Sequence, residues 1–238
     1  MVDLGKLMAA WRQEPTVGRR VVAFGASNTS VLWHSRGRHG WPCWLMVALR
    51  GYVGHHVSLT NAGVSGDATD DMLARIGRDV FPHNPSLVIV TAGGNDVKKF
   101  TVAEYTDRLA EIVRRVTGAG AVPVLQTYYA MDVANADAAY ERFGKYMAAC
   151  AATGSRCDVP CIDQHSLFQP WYAAEPEEYR RILLDPLHLL PVGNAVMGTL
   201  CVRHFGLPDP QLPDDLAQSV PAVLERMARY AQLPVRRP

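Results

Sequence analysis

The chain has 238 residues, of which 48% are hydrophobic and 20% charged, and its formal net charge is +1. These proportions are typical of a soluble globular protein that is long enough to build a sizeable core. The near-neutral charge gives no reason to expect nucleic acid or an anionic membrane as a partner. No run of apolar residues is long enough to span a bilayer.

The N-terminal segment mixes charged with apolar side chains, which indicates a short amphipathic helix over 2–13 rather than a signal peptide. A leader removed from the mature protein stays open as an alternative. The five cysteines are an odd number. Without a secretion signal they are expected to be free thiols, and we expect a cytoplasmic location. Cys157, Cys161 and His165 lack the second ligand pair of a structural zinc site, so no metal is expected.

Five short runs rich in Val, Ile and Leu predict strands buried on both faces. They are residues 20–24, 56–60, 87–91, 122–126 and 159–163. A clear helix lies between the third and fourth strands, where Thr101 and Glu104 form a capping box. Further helical patterns occupy residues 41–50, 70–80, 137–152 and 192–204. This alternation predicts an α/β fold with a parallel sheet covered by helices on both faces.

A last amphipathic helix is predicted over 219–232, after a Pro-rich loop. No linker or internal repeat divides the chain. We therefore expect a single domain over 1–238, with a core of about 19–206 to which the two terminal helices are added.

Polar residues suited to catalysis follow several predicted strands. Ser27, Gly63 and Asn95 lie in the loops after the first three strands, and Asp185 and His188 follow downstream, three residues apart. Ligands of open parallel sheets bind beyond the carboxyl ends of the strands. These loops are therefore expected to share one edge of the sheet.

The residue types fit acyl transfer by a serine. His188 can remove the proton of the Ser27 hydroxyl, and Asp185 can hold the imidazole in the required tautomer. The oxyanion formed by attack on an acyl carbon needs donors, for which the N–H groups of Ser27 and Gly63 and the amide of Asn95 are candidates. Each residue also has a simpler interpretation, as a helix cap, a core histidine or a turn residue.

Four blocks of the sequence closely resemble the SGNH hydrolases, the GDSL-type esterase/lipase superfamily. They are FGASNT at 24–29, NAGVSGDAT at 61–69, GGND at 93–96 and DPLH at 185–188. The resemblance implies a three-layer α/β/α sandwich with a central, mostly five-stranded parallel sheet of flavodoxin type. It also implies a Ser27–His188–Asp185 triad, oxyanion roles for Gly63 and Asn95, and no metal or organic cofactor.

One position departs from the family pattern. The family usually has Asp directly before the serine, and this chain has Ala26. That Asp is not the nucleophile, so the triad is retained. A polar anchor of the loop is lost.

Four aromatic residues, Trp33, Tyr128, Tyr129 and Trp171, fall in or near the loops of the expected site. Aromatic side chains there can stack on a sugar ring or line an acyl pocket. Capping the top of the core is the alternative.

We therefore expect a serine hydrolase of carboxylic esters, acting on a short acyl group or on an O-acetylated carbohydrate. The substrate is expected to be a small-molecule ester of a carbohydrate or a lipid. A lysophospholipase, a thioesterase or an acyltransferase of the same superfamily is the first alternative. A non-catalytic binding module on this scaffold is the second. The oligomeric state is not indicated by the sequence.

Overall fold

Five parallel strands form the central sheet of the computed structural model, which describes residues 1–30 and 36–237. The strands are β1 Arg19–Gly25, β2 Val57–Gly63, β3 Leu87–Thr91, β4 Val122–Gln126 and β5 Cys161–Ile162. They lie in the order β2-β1-β3-β4-β5. Every residue of β3 is buried, as expected for a strand with helices on both faces. The predicted sheet is confirmed.

Helices cover the sheet and complete the predicted three-layer α/β/α sandwich. On the described residues they are α1 Leu4–Gln13, α2 Trp41–Ala48, α3 Thr69–Asp79, α4 Asp96–Lys99, α5 Val102–Gly118, α6 Phe143–Arg156, α7 Gln164–Ala174, α8 Pro176–Arg180, α9 Pro191–His204, α10 Asp214–Ala217 and α11 Ser219–Met227. Helix α5 packs beside α3 and α6, and α2 packs on α9. The predicted fold class is confirmed.

The strand ends are level with one another at the edge that carries the site. Gly25 pairs with Gly63 on one side and with Thr91 on the other, and Thr91 pairs with Gln126. The loops after β1, β2, β3 and β4 therefore emerge side by side, as the rule for open parallel sheets requires.

Three parts of the fold differ from the expectation. Asp185 and His188 belong to a small antiparallel hairpin, β6 Leu183–Asp185 and β7 His188–Leu189, which the sequence pattern did not predict. The predicted helix over 137–152 begins as a 3₁₀ turn, Ala138–Arg142, and continues as α6. A five-residue π-helical segment, Leu49–Val53, extends α2.

Both terminal helices belong to the same hydrophobic cluster as the sheet. Helix α1 contributes Met8 and Trp11, and α11 contributes Leu224 and Met227. This packing agrees with a single domain over 1–238, which stays a prediction. None of the helices in the described part of the chain combines the length and the apolar character needed to cross a membrane.

Candidate active site

A cavity of about 150 Å³ opens at the carboxyl edge of the sheet. The loops after β1, β2, β3 and β4 and the turn between β6 and β7 supply its walls. The lining residues are Ser27, Asn28, Ser65, Gly66, Gly94, Asn95, Tyr128, Met131, Tyr140, Leu187 and His188. Loops that are far apart in sequence thus meet at one small site.

The three predicted catalytic residues are joined by hydrogen bonds. His188 Nε2 lies 3.0 Å from Ser27 Oγ. His188 Nδ1 lies 2.8 Å from Asp185 Oδ2 and 3.0 Å from Asp185 Oδ1. This is the geometry of a serine nucleophile, an imidazole base and a carboxylate that orients the base.

Ser27 lies in a tight turn that begins where β1 ends. The N–H groups of Thr29 and Ser30 both donate to the Ala26 carbonyl at 3.0 Å. The turn packs closely on the strand end, since a Cβ atom at Gly25 would lie 2.4 Å from Thr29 Oγ1. Glycine at position 25 is therefore needed to place the nucleophile directly beyond the sheet.

The turn that carries the base is fixed from two sides. The Leu187 N–H donates to Asp185 Oδ1 at 2.8 Å, which closes the turn around the carboxylate. The Leu187 carbonyl accepts a hydrogen bond from Asn28 Nδ2 at 3.1 Å. The Tyr129 hydroxyl lies within hydrogen-bond distance of the same carbonyl and 2.7 Å from Asn28 Oδ1. Because Asn28 follows the nucleophile directly, these contacts connect the nucleophile turn to the base.

Asn95 lines the cavity as expected. Its Nδ2 donates to the Asp67 carbonyl at 2.8 Å, and the second hydrogen of this amide is available for a ligand. The buried Asp96 anchors the loop, because its carboxylate accepts from the Gly93 N–H at 3.1 Å and from the Thr69 N–H at 3.0 Å. Burial raises the pKa of Asp96. Its position between two backbone donors indicates a structural role.

Gly63, a predicted oxyanion donor, does not line the cavity. Its N–H donates to Asn61 Oδ1 at 3.0 Å. A Cβ atom at this position would lie 2.3 Å from the Ser30 nitrogen, so glycine is needed here for close packing against the nucleophile turn. The structure thus engages the Gly63 N–H within the protein, and the oxyanion role predicted for Gly63 stays a prediction without support from the cavity lining.

Gly66, which the sequence reasoning missed, lines the cavity in its place. Its φ of 87° favours glycine. Within residues 1–30 and 36–237, the N–H groups of Ser27 and Gly66 have no hydrogen-bond acceptor. The signal that separates the two glycines is the end of β2, which the sequence pattern placed at residue 60 and the structure places at Gly63.

The four predicted substrate-binding aromatics divide into three groups. Tyr128 lines the cavity, and its hydroxyl donates to the Thr91 carbonyl at 3.3 Å. Tyr129 and Trp171 are fully buried and do not line the cavity. Trp171 packs on Tyr179 with ring centres 5.0 Å apart. Tyr129 and Trp171 are therefore core residues, and Trp33 lies outside the described residues.

Two lining residues, Met131 and Tyr140, were also missed. Both belong to the segment between β4 and α6, where Met131 follows the fourth predicted strand and Tyr140 falls within the predicted helix over 137–152. Their buried side chains close one wall of the cavity. Nothing in their local pattern distinguishes them from core residues.

A larger cavity, of about 740 Å³, lies away from the triad, between α9, α11 and the C-terminal segment. No pair of nucleophile and base lines it, so we place the chemistry at the smaller site. In the described part of the chain, no group of three or more His, Cys, Asp and Glu side chains is arranged to hold a metal ion.

The fold and the four sequence blocks together define the class of protein, the SGNH hydrolase superfamily. Residues 23–196 match the family model of the GDSL-like Lipase/Acylhydrolase family, and the chain belongs to this family. The superfamily predicted from the sequence is thereby confirmed. The class of enzyme predicted with it, a carboxylic ester hydrolase, is the class to which this family belongs.

Two relatives of named activity match shorter parts of the chain. An arylesterase of Vibrio mimicus is 33% identical over 86 residues, which are 36% of this chain and 42% of that protein. The thioesterase 1/protease 1/lysophospholipase L1 of Escherichia coli K12 is 36% identical over 69 residues, 29% of this chain and 33% of that protein. The match thus spans less than half the length of either relative.

Solved structures share the fold over most of the chain. A catalytic mutant of an acetylxylan esterase from Geobacillus stearothermophilus superposes with a TM-score of 0.68 at 18% identity, over 83% of this chain and 98% of that one. A lipase/acylhydrolase from Enterococcus faecalis gives 0.61 at 23% identity, over 82% of this chain and 100% of that one. These likenesses establish the fold.

Proposed function

We propose that the chain hydrolyses carboxylic esters through an acyl-serine intermediate. Ser27 is the nucleophile, His188 the general base and Asp185 the group that orients the base. The observation that carries the proposal is the continuous hydrogen-bonded path from Ser27 Oγ through His188 to the Asp185 carboxylate, beside a cavity. Membership of the lipase/acylhydrolase family supports the same chemistry.

In the first half of the reaction, Ser27 Oγ bonds to the acyl carbon while its proton moves to His188 Nε2. The tetrahedral intermediate then collapses, and its bond to the alcohol oxygen breaks. The departing alcohol takes the proton from His188 and leaves an acyl group on Ser27. Asp185 stabilises the imidazolium that forms between these steps.

In the second half, a water molecule attacks the acyl-serine. His188 accepts the proton of the water, a second tetrahedral intermediate forms, and its bond to Ser27 Oγ breaks. The proton returns to Ser27 Oγ, and the carboxylic acid leaves. The enzyme is then restored without any change in oxidation state.

Both tetrahedral intermediates carry a negative oxygen that needs fixed donors. We assign this role to the Ser27 N–H, the Asn95 side-chain amide and the Gly66 N–H. All three residues line the cavity. The assignment of Gly66 replaces that of Gly63, whose N–H is engaged by Asn61.

We further propose that the acyl group is short, with acetyl as the preferred group. The cavity of about 150 Å³ is of the size that holds one benzene molecule, about 150 Å³. A long acyl chain would need a groove beyond Met131 and Tyr140. An O-acetylated carbohydrate is the natural substrate class that we favour. Of the four aromatic residues expected to contact such a substrate, Tyr128 lines the cavity.

The test is hydrolysis of p-nitrophenyl acetate, butyrate and octanoate by the wild type and by Ser27→Ala. Ser155→Ala is the matched control, because it makes the same change at an exposed position in α6. We expect wild type and control to share a preference for acetate, and Ser27→Ala to lose nearly all activity. Retained activity in Ser27→Ala would contradict the mechanism.

The chain-length ranking decides between the acyl substrates. A preference for octanoate, or for thioesters of similar length, would favour the lysophospholipase and thioesterase activities named for the Escherichia coli relative. Transfer of the acetyl group to an added alcohol would favour an acyltransferase. Absence of turnover together with absence of fluorophosphonate labelling at Ser27 would favour a binding module.

We also propose that the protein works in a reducing compartment such as the cytoplasm. All five cysteines of the chain lie in the described residues and are free thiols. This agrees with such a location.

A further inference from the structure

The guanidinium of Arg75 lies where the first two loops of the site leave the sheet. Arg75 belongs to α3, is buried, and stacks over the Phe24 ring at 4.6 Å from its centre. Its Nη2 donates to the Gly25 carbonyl at 2.9 Å, and its Nη1 donates to the Ala62 carbonyl at 2.8 Å. One side chain therefore bonds the carboxyl ends of both β1 and β2.

The third nitrogen of the Arg75 guanidinium, Nε, bonds a residue beside the candidate oxyanion hole. This Nε donates to the Asp67 carboxylate. The backbone carbonyl of the same Asp67 accepts the Asn95 amide at 2.8 Å, and Gly66 directly precedes Asp67. Holding Asp67 in place therefore holds two of the three proposed donors, the Gly66 N–H and the Asn95 side chain.

The same arginine also holds the backbone just before the nucleophile turn, where position 26 provides no polar side chain. Position 26 is a buried alanine, where the family usually has Asp. The preceding carbonyl, that of Gly25, accepts instead from Arg75 and from the Val64 N–H at 3.0 Å. The bond from Arg75 thus fixes the strand end two residues before Ser27.

Arginine suits this position better than lysine. Its planar guanidinium presents several donors in fixed directions, whereas an ammonium group acts as a point charge. At Arg75 these donors meet two backbone carbonyls and two carboxylates, the second being Asp79 at 3.2 Å. A lysine could keep the charge and would lose most of these directed bonds.

We propose that Arg75 is the positioning residue of the oxyanion hole. It holds the loops after β1 and β2, and through Asp67 the side chain of Asn95, in the arrangement that stabilises the tetrahedral intermediate. Arg75 acts through these groups and has no contact with the triad or the cavity in the described residues. The inference rests on the proposed function.

The test compares Arg75→Met with a matched control, Arg203→Met. Arg203 is also a largely buried arginine, and it forms a two-bond ion pair with Asp209, at 2.8 and 2.9 Å, away from the site. Both variants are expected to lower the Tm. With p-nitrophenyl acetate, Arg75→Met is expected to lower kcat by about 10- to 100-fold with KM nearly unchanged. Arg203→Met is expected to keep the wild-type kcat.

Two further variants make the result specific. Arg75→Lys is expected to recover part of the kcat, and it decides the matter if Arg75→Met fails to fold. In an Asn95→Ala background, Arg75→Met is expected to cost less than in the wild type, because part of its effect passes through Asn95.

The outcomes separate the two proposals. A wild type without Ser27-dependent turnover would refute the proposed function itself. If the wild type and Arg203→Met turn over the ester, an Arg75→Met variant with the wild-type kcat would refute only the positioning role. If Arg75→Met does not fold, a wild-type kcat in Arg75→Lys would refute it instead. Effects of Arg75→Met and Asn95→Ala that multiply independently would also contradict it.

Discussion

Asn28 links the two parts of the triad that come from opposite ends of the chain. Its Nδ2 donates to the Leu187 carbonyl at 3.1 Å, and its Oδ1 lies 2.7 Å from the Tyr129 hydroxyl. The hydroxyl is fully buried, so its hydrogen bonds have no competition from water. The separation of Ser27 Oγ and His188 Nε2 therefore depends on two side chains that do not react, Asn28 and Tyr129, and on the Leu187 carbonyl.

Removal of the Tyr129 hydroxyl tests this dependence. We predict that Tyr129→Phe lowers kcat by roughly 10-fold, less than the 100-fold that a 1 Å misplacement can cost. KM should hardly change, because the ring does not line the cavity. The measurement is steady-state kinetics with p-nitrophenyl acetate.

Tyr146→Phe is the control for this prediction, since that buried hydroxyl donates to the Phe100 carbonyl, away from the triad. It should lower the Tm and leave kcat unchanged. A rise in KM with an unchanged kcat in Tyr129→Phe would instead restore Tyr129 as a substrate contact.

Single residues were predictable where a short pattern defines both spacing and chemistry. Asp185 and His188 are three residues apart, and the two-residue turn between β6 and β7 brings them together. Gly63 and Gly66 share one block, and their roles depend on where β2 ends and on how closely Ser30 approaches. The sequence does not contain that distance, so it could not show which of the two glycines lines the cavity.

At the scale of elements, the segment between β4 and α6 forms a fixed wall of the cavity. The buried Asp132 accepts the Tyr172 hydroxyl at 2.8 Å and Arg180 Nε at 2.7 Å. Its own N–H donates to the Pro186 carbonyl at 2.9 Å, in the turn of the triad hairpin. Met131, the residue before it, is thus held against the acyl site.

Shortening this wall should change the acyl preference. We predict that Met131→Ala raises the ratio of kcat/KM for butyrate to that for acetate by about 10-fold, since one methylene in an apolar pocket is worth about 10- to 200-fold. The p-nitrophenyl ester series measures this ratio. Met227→Ala removes a buried methionine from α11 and serves as the control. An unchanged ratio in Met131→Ala would place the acyl group elsewhere.

The end of α3 gives a pH-dependent prediction about stability. Asp79 accepts hydrogen bonds from Arg78 at 2.6 and 2.9 Å and from Arg75 at 3.2 Å. These bonds, those from Arg78 first, lower the pKa of Asp79 from 3.8 to about 2. The unfolded chain therefore binds more protons in this range. The stabilisation is complete above the unfolded pKa and is lost as the pH falls towards the folded one.

We predict that Asp79→Asn has a lower urea midpoint than the wild type at neutral pH. The difference should stay constant down to about pH 5 and shrink below about pH 4. Urea unfolding at several pH values measures it. A difference that is the same at pH values above and below this window would contradict the assigned interaction.

Elements that lie in a clear apolar or capped periodic run were predictable, and the triad hairpin was not. The five strands and α5 show continuous apolar or capped periodic patterns, and the structure confirms them. The hairpin strands β6 and β7 have three and two residues, too few to show a period. Helix α7 contains Pro170, which removes a backbone donor and interrupts the helical pattern. Trp171, expected in or near a loop of the site, lies buried in this helix.

At the scale of the whole molecule, the parallel register explains why the site forms. Level strand ends bring four loops to one edge, and the β6–β7 hairpin completes the site from the C-terminal part. Strand–helix alternation predicted this edge, because parallel strands share their carboxyl ends. The volume and lining of the cavity depend on side-chain packing between distant segments and follow only from the structure.

The central claim is that Ser27 carries the acyl group during turnover. Its most direct test is to mix the protein with p-nitrophenyl acetate, quench with acid within the first turnovers, and locate the adduct by peptide mass spectrometry. We predict one acetyl group on the peptide that contains Ser27, and none in Ser27→Ala. Turnover with the acetyl group on another residue, or turnover that persists in Ser27→Ala, would contradict the account.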